Sequence, residues 1–125
     1  MSIDVLLDKR YDSDNYHCVH FVIDAGKHLF NYDFSPNFLG LDKALTHNGA
    51  PSRHTVAHSQ RADTPSDGTV VLITKLDNGL HVGLYLDGRV LHLTEQGVRF
   101  ETVRALGRMY KRIRYYNATD FPQSA

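Results

Sequence analysis

The segment Leu80–Leu86, which reads LHVGLYL, lies between two tight-turn signals, Asp77-Asn78-Gly79 before it and Asp87-Gly88 after it. Asn-Gly and Asp-Gly pairs favour two-residue hairpin turns, because these residues tolerate the positive φ angles that such turns require. The neighbouring segments Thr69–Lys75 and Arg89–Thr94 are rich in β-branched and aliphatic residues, as strands are. We therefore predict three consecutive antiparallel strands joined by two hairpins.

Two further strands are predicted towards the C-terminus. Gln96-Gly97 is a turn signal that precedes a short strand at Val98–Glu101, and the alternation in Tyr110–Tyr116 favours a last strand. We interpret Ala105–Met109 as a short connection between these two strands. The C-terminal half is thus predicted to be an antiparallel meander.

The N-terminal half has helical spacing instead. Apolar residues recur at helical intervals in the range 17–30, and Ser35-Pro36 is a capping residue followed by a favoured first helical residue. We expect this second helix to end at Asn48-Gly49, and a short helix capped by Ser2 to precede both. Ala50–Ser66 has few large apolar residues and two prolines, which predicts a long surface loop.

This order of elements predicts an α+β domain in which N-terminal helices pack on one face of a C-terminal antiparallel sheet. With 125 residues, the chain has the length of a single domain, which we expect to span residues 1–125. The hydrophobic content of 42% and the charged content of 22% are ordinary for a globular protein.

The charge balance and the hydropathy argue against two classes of partner. Lys and Arg number 14, as do Asp and Glu, so the formal net charge is +0 and no overall field favours nucleic acid or an anionic membrane. No apolar run reaches a membrane-spanning length, and the N-terminus lacks the basic start and apolar run of a signal peptide. We therefore expect a soluble chain made in the cytoplasm that binds neither nucleic acid nor membrane. Work outside the cell would require delivery by another machine, or lysis.

Cys18 is the only cysteine, and it stands at the predicted start of the first long helix, after a polar segment. A single cysteine excludes an internal disulfide. The dipole at a helix N-terminus favours thiolate, and an adjacent imidazole can hold the proton. We therefore expect Cys18 to be an activated thiol whose pKa lies well below the ordinary value of about 8.5.

Two histidines are predicted to lie on neighbouring strands of one hairpin. If Asp87-Gly88 forms the two-residue turn, His81 lies opposite Thr94, and His92 is its diagonal neighbour on the same face. Such a neighbour is close enough to orient the His81 imidazole. Together with Cys18, the two histidines supply a nucleophile, a base and an orienting residue, which is a catalytic triad in its cysteine form.

The order of these motifs resembles the NlpC family of papain-like cell-wall peptidases. A cysteine is followed far downstream by a His-Val-Gly-aliphatic-Tyr strand, and then by a histidine in a Val-Leu-His strand. The resemblance covers nearly the whole chain and is closest to short members encoded by tailed phages and prophages, which are tail-tip or tail-assembly proteins. The segments that carry it downstream of the cysteine are Pro65–Leu72, His81–Tyr85, Gly88–His92, Gly97–Phe100 and Lys111–Tyr116.

The resemblance implies a papain-like fold in which the sheet forms a half-barrel, and it implies a role for each residue of the triad. Cys18 would be the nucleophile, His81 the general base and His92 the residue that orients the base. Members of the family cleave amide bonds in peptidoglycan stem peptides, commonly between D-glutamate and diaminopimelate, through a thioester acyl-enzyme. No metal and no cofactor is expected. The expected partners are a peptidoglycan peptide and, for a tail-associated member, phage tail proteins.

Three residues near the cysteine are the expected substrate-binding residues. The family's tyrosine upstream of the cysteine, which helps to bind substrate or the oxyanion, matches Tyr11 or Tyr16. His17 stands where the family usually has aspartate, and Val19-His20 stands where it usually has Ser-Gly. These departures concern the choice of substrate more than the fold. We also expect the loop Ala50–Ser66 to border the substrate groove.

Three other interpretations are open. Cys18, His20, His54 and His58 could assemble a zinc site, although their spacing is not that of a closed site. A papain-like acyltransferase or thioesterase would use the same cysteine and histidines on lipid substrates, but such relatives usually place His before Cys. A phage structural or assembly protein could keep the fold and the triad without catalysing a reaction. We expect the protein to act in the virion tail or, after delivery, in the periplasm.

Overall fold

An antiparallel sheet of six strands forms the framework of residues 3–38 and 56–121, the part of the chain that this computed structural model describes. In chain order the strands are β1 (Ser59–Ala62), β2 (Val70–Thr74), β3 (Leu80–Leu86), β4 (Arg89–Thr94), β5 (Gly97–Thr102) and β6 (Arg112–Ala118). Across the sheet the order is β1-β6-β2-β3-β4-β5. Strand β6 is therefore inserted between β1 and β2.

The two predicted hairpins are confirmed. β2 pairs with β3 and β3 pairs with β4, and Leu86 faces Arg89 across the second turn, as a two-residue loop requires. Asp87 and Gly88 both have positive φ, 51° and 79°, which is the conformation of a type I′ turn. The strongest local turn signals of the sequence therefore set this part of the topology.

Strand β1 corrects the prediction that Ala50–Ser66 is a loop throughout. Its sequence, SQRA, is polar and carries no strand signal of its own. It pairs with β6 from Ser59↔Ala118 to Ala62↔Tyr115, at the edge of the sheet, where side chains can stay in solvent. This strand therefore forms through its backbone hydrogen bonds to β6, although its side chains do not favour a strand. Residues 50–55 of the predicted loop lie outside the described residues.

The first long helix, α1, spans Cys18–Phe30, as predicted. Gly26 lies inside this helix and faces the ring of Phe34, which a Cβ atom at this position would approach to 2.4 Å. Asn31 closes the helix in the left-handed conformation, with φ of 53°, and donates its backbone N–H to the Gly26 carbonyl. The lack of a side chain at Gly26 therefore lets the Phe34 ring pack closely against the helix.

A second helix, α2, spans Val103–Met109, where a short connection was predicted. The side chain of Thr102 caps it by accepting a hydrogen bond from the Ala105 N–H at 3.2 Å. The two other predicted helices are seen only in part. Asp4–Leu6 and Ser35–Phe38 each form a short 3-10 turn, and the continuation of the latter towards Asn48-Gly49 lies outside the described residues.

Each face of the sheet carries a buried apolar cluster. One face packs against α1, with Phe21 and Leu72 among the fully buried residues of the larger core. α2 covers the other face through Leu106, in a smaller cluster that contains Val71 and Ile73. Alternate residues of β2 therefore enter different clusters, as the pleat of a strand requires.

The coarse prediction is confirmed: the protein is α+β, with an N-terminal helix packed on a six-stranded antiparallel open sheet. The short α2 on the opposite face is an addition to it. None of the helices in the described part of the chain is long and apolar enough to cross a membrane.

Candidate active site

A cavity of about 470 Å³ opens at one end of the sheet. It is bordered by the end of β2, the start of β3, the end of β4 and the segment that precedes α1. Cys18 and His81 both line it. The fold thus brings the predicted nucleophile and the predicted base to one cavity from distant parts of the chain.

Two histidines cap the helix that carries Cys18. The Nδ1 of His17 accepts a hydrogen bond from the Val19 N–H at 3.3 Å, and the Nδ1 of His20 accepts one from the His17 N–H at 3.1 Å. This is a capping box in which histidine takes both of the positions that Ser or Thr and Glu or Gln usually occupy. The cap makes Cys18 the first residue of α1, at the positive end of the helix.

Burial controls the ionisation of the Cys18 thiol. The residue is only 5% exposed, and the loss of hydration raises the pKa of its thiol to about 11. The backbone amide of Val82 and the ammonium group of Lys75 act in the opposite direction but do not outweigh burial. The expected low pKa is therefore wrong in direction, and the thiol is protonated at neutral pH.

His81 begins a row of hydrogen-bonded side chains that crosses three strands. Its Nε2 lies 2.8 Å from the Nδ1 of His92 on β4, and the Nε2 of His92 lies 2.9 Å from the Oε2 of Glu101 on β5. The Nη2 of Arg99 donates to Oε1 of the same carboxylate at 2.9 Å. His92 thus lies beside His81 as the hairpin register predicted, and its orienting role stays a prediction.

Gly83, in the middle of β3, makes room for this row. A Cβ atom built on it would lie 2.6 Å from the Cγ1 of Val90 and 3.1 Å from the Cβ of His92. The first of these distances is shorter than real Cβ contacts, so with a larger residue the Val90 side chain or its strand would have to shift. The glycine of the His81–Tyr85 motif is therefore explained by the close approach of the next strand.

Both imidazoles are neutral at neutral pH. Burial, with smaller contributions from His92 and Lys75, lowers the pKa of His81 to about 3. Burial also lowers the pKa of His92, although the Glu101 carboxylate acts against it. Cys18 and His81 are therefore a neutral thiol and a neutral imidazole at rest, and within the described residues no hydrogen bond joins them. In free enzymes such contacts often tighten only when substrate binds.

The three expected substrate-binding residues have different positions. Tyr11 and His17 line the cavity, whereas Tyr16 is not among the described residues that do so. Burial raises the pKa of Tyr11, and negative charge on Cys18, at a pH where that thiol ionises, adds to this effect. The Tyr16 hydroxyl instead donates to the Oδ2 of Asp24 at 2.7 Å and ties the preceding segment to α1. The structure therefore places Tyr11 and His17 at the site, and the binding roles of all three residues stay predictions.

Sequence reasoning missed two residues of this site. Tyr110 lines the cavity and stacks on His81, with ring centroids 6.1 Å apart and planes 23° apart. Glu101 binds His92 from the next strand. A register count across the turn after β4 could have found it, because Arg99 pairs with His92 and Glu101 follows two residues later on the same face. No local signal identifies Tyr110, which directly follows α2.

Charged side chains of both signs complete the cavity wall. Lys75 lies at the end of β2, Glu95 lies at the end of β4, and Asp14 belongs to the segment before α1. Because β2 and β4 flank β3, Lys75 and Glu95 stand on opposite sides of His81. The cavity is thus suited to bind a ligand that carries both an anionic and a cationic group.

The zinc alternative finds no support among the described residues. Within residues 3–38 and 56–121, no group of three or more His, Cys, Asp or Glu side chains is placed to hold a metal ion. One member of the zinc set, His54, lies outside these ranges. Another, His20, uses its Nδ1 in the cap of α1.

Comparisons with known proteins add no assignment. The sequence matches none of the known protein-family models. No curated protein matches it significantly either. The functional interpretation therefore depends on the residues and their geometry.

Proposed function

We propose that this protein is a cysteine hydrolase with a papain-like fold of the NlpC type, which cleaves an amide bond in peptidoglycan stem peptides. One observation carries the proposal: Cys18, at the N-terminus of α1, lines one cavity with His81, whose Nε2 lies 2.8 Å from the buried His92. A nucleophile and a base at one cavity, with a buried residue that orients the base, are what acyl transfer requires. The sheet would correspond to the half-barrel of that fold.

The reaction would proceed through a thioester on Cys18. As Sγ attacks the carbonyl carbon of the amide, His81 accepts the thiol proton, because both groups are neutral beforehand. His81 then gives that proton to the leaving amine as the C–N bond breaks. A water molecule, deprotonated by His81, attacks the thioester. The product acid leaves as the C–S bond breaks, and His81 returns the proton to the sulfur.

Backbone amides at the start of α1 are suited to bind the oxyanion of each tetrahedral intermediate. The amides of Val19 and Cys18 already favour negative charge on Sγ. Since the Val19 N–H also donates to His17, we assign oxyanion binding to the Cys18 amide, with the Tyr11 hydroxyl as a second donor.

The charges of the cavity favour a peptide substrate over a lipid. Lys75 can pair with a carboxylate, while Asp14 and Glu95 can pair with an amine, and stem peptides carry both groups. The acyl chain of a lipid would instead meet charged side chains. The acyltransferase or thioesterase interpretation is therefore less suited to this site.

We further propose that a phage tail carries the protein to the cell wall. This proposal rests on the resemblance to tail-associated members of the family.

Digestion of purified peptidoglycan tests the hydrolase. Wild-type protein should release fragments with a new amine and a new carboxylate, read by mass spectrometry, and Cys18→Ser should release none. His81→Gln should lower the rate by about 10²–10⁴-fold. The matched control is His28→Gln, which changes a histidine in the last turn of α1 that does not line the cavity, and it should cleave at the wild-type rate. Cleavage by Cys18→Ser at the wild-type rate would reject the proposal.

A non-catalytic role in phage tail assembly is the second candidate. It is favoured by the raised pKa of Cys18, which leaves the resting protein without a thiolate. In that case the wild-type protein would release no wall fragments. Cys18→Ser would then support tail assembly as well as the wild type does, in a complementation assay.

A further inference from the structure

The row of side chains behind His81 continues past the predicted triad. From His92 it passes to Glu101 and ends at Arg99, on the edge strand β5. His92 is fully buried and the Glu101 side chain is 15% exposed, whereas that of Arg99 is 49% exposed. Solvent therefore reaches this end of the row mainly at Arg99.

We propose that Glu101, held by Arg99, is a positioning residue that fixes the tautomers of both His81 and His92. The consequence for catalysis rests on the proposed function, whereas the tautomers themselves do not. Two neutral imidazoles in contact can order their protons in either direction, so the pair alone leaves the direction open. A third group has to set it.

The carboxylate sets the direction because it only accepts hydrogen bonds. Burial acts to raise the pKa of Glu101, but hydrogen bonds from His92 and Arg99 outweigh it and lower that pKa, so the group is ionised at neutral pH. His92 must then carry its proton on Nε2, which faces Glu101. Its Nδ1 is consequently an acceptor and takes a hydrogen bond from the Nε2–H of His81.

This order of protons leaves His81 with its lone pair on Nδ1. The Nε2 of His81 is occupied by its hydrogen bond to His92. Nδ1 is therefore the nitrogen that can take a proton from the Cys18 thiol or from water. Glu101 thus holds His81 in the form that acts as a base.

Arg99 makes glutamine a poor substitute for Glu101. A guanidinium group only donates, so the glutamine of Glu101→Gln would turn its carbonyl oxygen to Arg99 and its amide NH₂ to His92. His92 would then accept on Nε2 and carry its proton on Nδ1. His81 would receive that hydrogen bond on Nε2 and carry its own proton on Nδ1. One nearly isosteric substitution would therefore reverse both tautomers and remove the base.

Nitrogen NMR of the full-length protein tests the assignment directly. Two-bond ¹H–¹⁵N correlations identify which nitrogen of each imidazole carries the proton. We expect both His81 and His92 to be protonated on Nε2 in the wild type and on Nδ1 in Glu101→Gln. A wild-type His81 protonated on Nδ1 would overturn the proposal even if the variant failed to fold. Unchanged tautomers in Glu101→Gln would overturn it as well.

A second substitution distinguishes positioning from a merely structural ion pair. In the double variant Arg99→Ala, Glu101→Gln the amide is no longer held by Arg99, so its carbonyl can also accept from His92 and the Nε2–H tautomers should reappear beside the Nδ1–H forms. Arg99→Ala alone keeps the carboxylate and should keep the wild-type tautomers. A structural ion pair predicts instead that the double variant is disturbed at least as much as Glu101→Gln. No return of the tautomers would overturn the role of Arg99.

Cleavage of wall fragments gives the catalytic readout. Glu101→Gln should lower kcat by about 10²-fold or more, with KM little changed, and the double variant should recover about tenfold or more of that loss. Reversed tautomers with kcat within about threefold of the wild type would overturn the positioning role. If the wild type cleaves no wall fragments while Glu101→Gln still reverses the tautomers, the proposed function fails and the tautomer assignment is supported.

Discussion

At the scale of single residues, burial outweighs the helix N-terminus at Cys18. The rise of the thiol pKa from its ordinary value to about 11 disfavours thiolate by about 3 kcal/mol. A helix dipole contributes only about 0.3–1 kcal/mol in favour of a nearby negative charge. The position of a cysteine at a helix start therefore does not by itself activate the thiol, and a neighbouring base has to remove its proton during the reaction.

This balance predicts how Cys18 reacts with iodoacetamide. In the folded protein the alkylation rate should be low at pH 7 and should rise about tenfold per pH unit to beyond pH 10, because only the thiolate reacts. The chain unfolded in urea is the control, and its rate should level off above the ordinary thiol pKa of about 8.5. Mass spectrometry measures both rates on the single cysteine. A folded-state rate that is already constant below pH 7 would show instead that the thiol is ionised at rest.

At the scale of elements, the hairpin β3–β4 is both a folding unit and the support of the site. Its turn is fixed by local sequence, and the turn fixes the register that brings His81 beside His92. The close approach of the two strands at Gly83 is part of the same arrangement. Substitutions that disturb the packing of this hairpin should therefore lower the stability of the protein and also displace the two histidines.

Two glycine-to-alanine substitutions should consequently have opposite effects on the free energy of unfolding. Gly83→Ala places a methyl group 2.6 Å from the Cγ1 of Val90 and should destabilise the protein by about 1–3 kcal/mol. Gly107→Ala is the matched control, because nothing lies within 4 Å of its new methyl group and the residue is inside α2. It should stabilise the protein by about 0.5–1 kcal/mol through helix propensity. Urea denaturation measures both, and equal effects of the two substitutions would contradict the close packing at Gly83.

At the scale of the whole molecule, the histidines of the site lie in the buried interior, so their protonation changes the stability of the fold. α1 and α2 cover opposite faces of the sheet, and the cavity opens at one end of it. His81 at the cavity wall and His92 behind it are both buried as neutral groups. Protonation of either histidine therefore acts against the folded state.

We expect the free energy of unfolding to fall between pH 6.5 and pH 3. The folded-state pKa of His81, about 3, lies below its unfolded value of about 6.5, so the unfolded chain binds more protons in this interval. The contribution is fully present above pH 6.5 and is lost as the pH falls towards 3. Urea denaturation at pH 7.5 and pH 4 should show a loss in the wild type that exceeds the loss in His81→Asn by about 3 kcal/mol. Equal losses in the two proteins would mean that His81 is not buried as a neutral base.

Local signals in the sequence determined the hairpins, helix α1 and the α+β class. The turn at Asp87-Gly88 and the alternation of its flanking strands are interactions between residues close in the chain, so they can be read without the fold. The same register placed His92 beside His81. These features follow from backbone geometry over a few residues, which the amino-acid types restrict directly.

Only the tertiary structure decided the environment of those residues. β1 exists because β6 offers it backbone partners, and Tyr110 reaches His81 only because α2 returns the chain to the cavity. The pKa of Cys18 depends on how much of the molecule covers it. Glu101 matters because the register of β5 sets it against His92. Burial and cross-strand contacts join residues that are distant in sequence, and desolvation depends on everything packed around a group, so no local pattern specifies them.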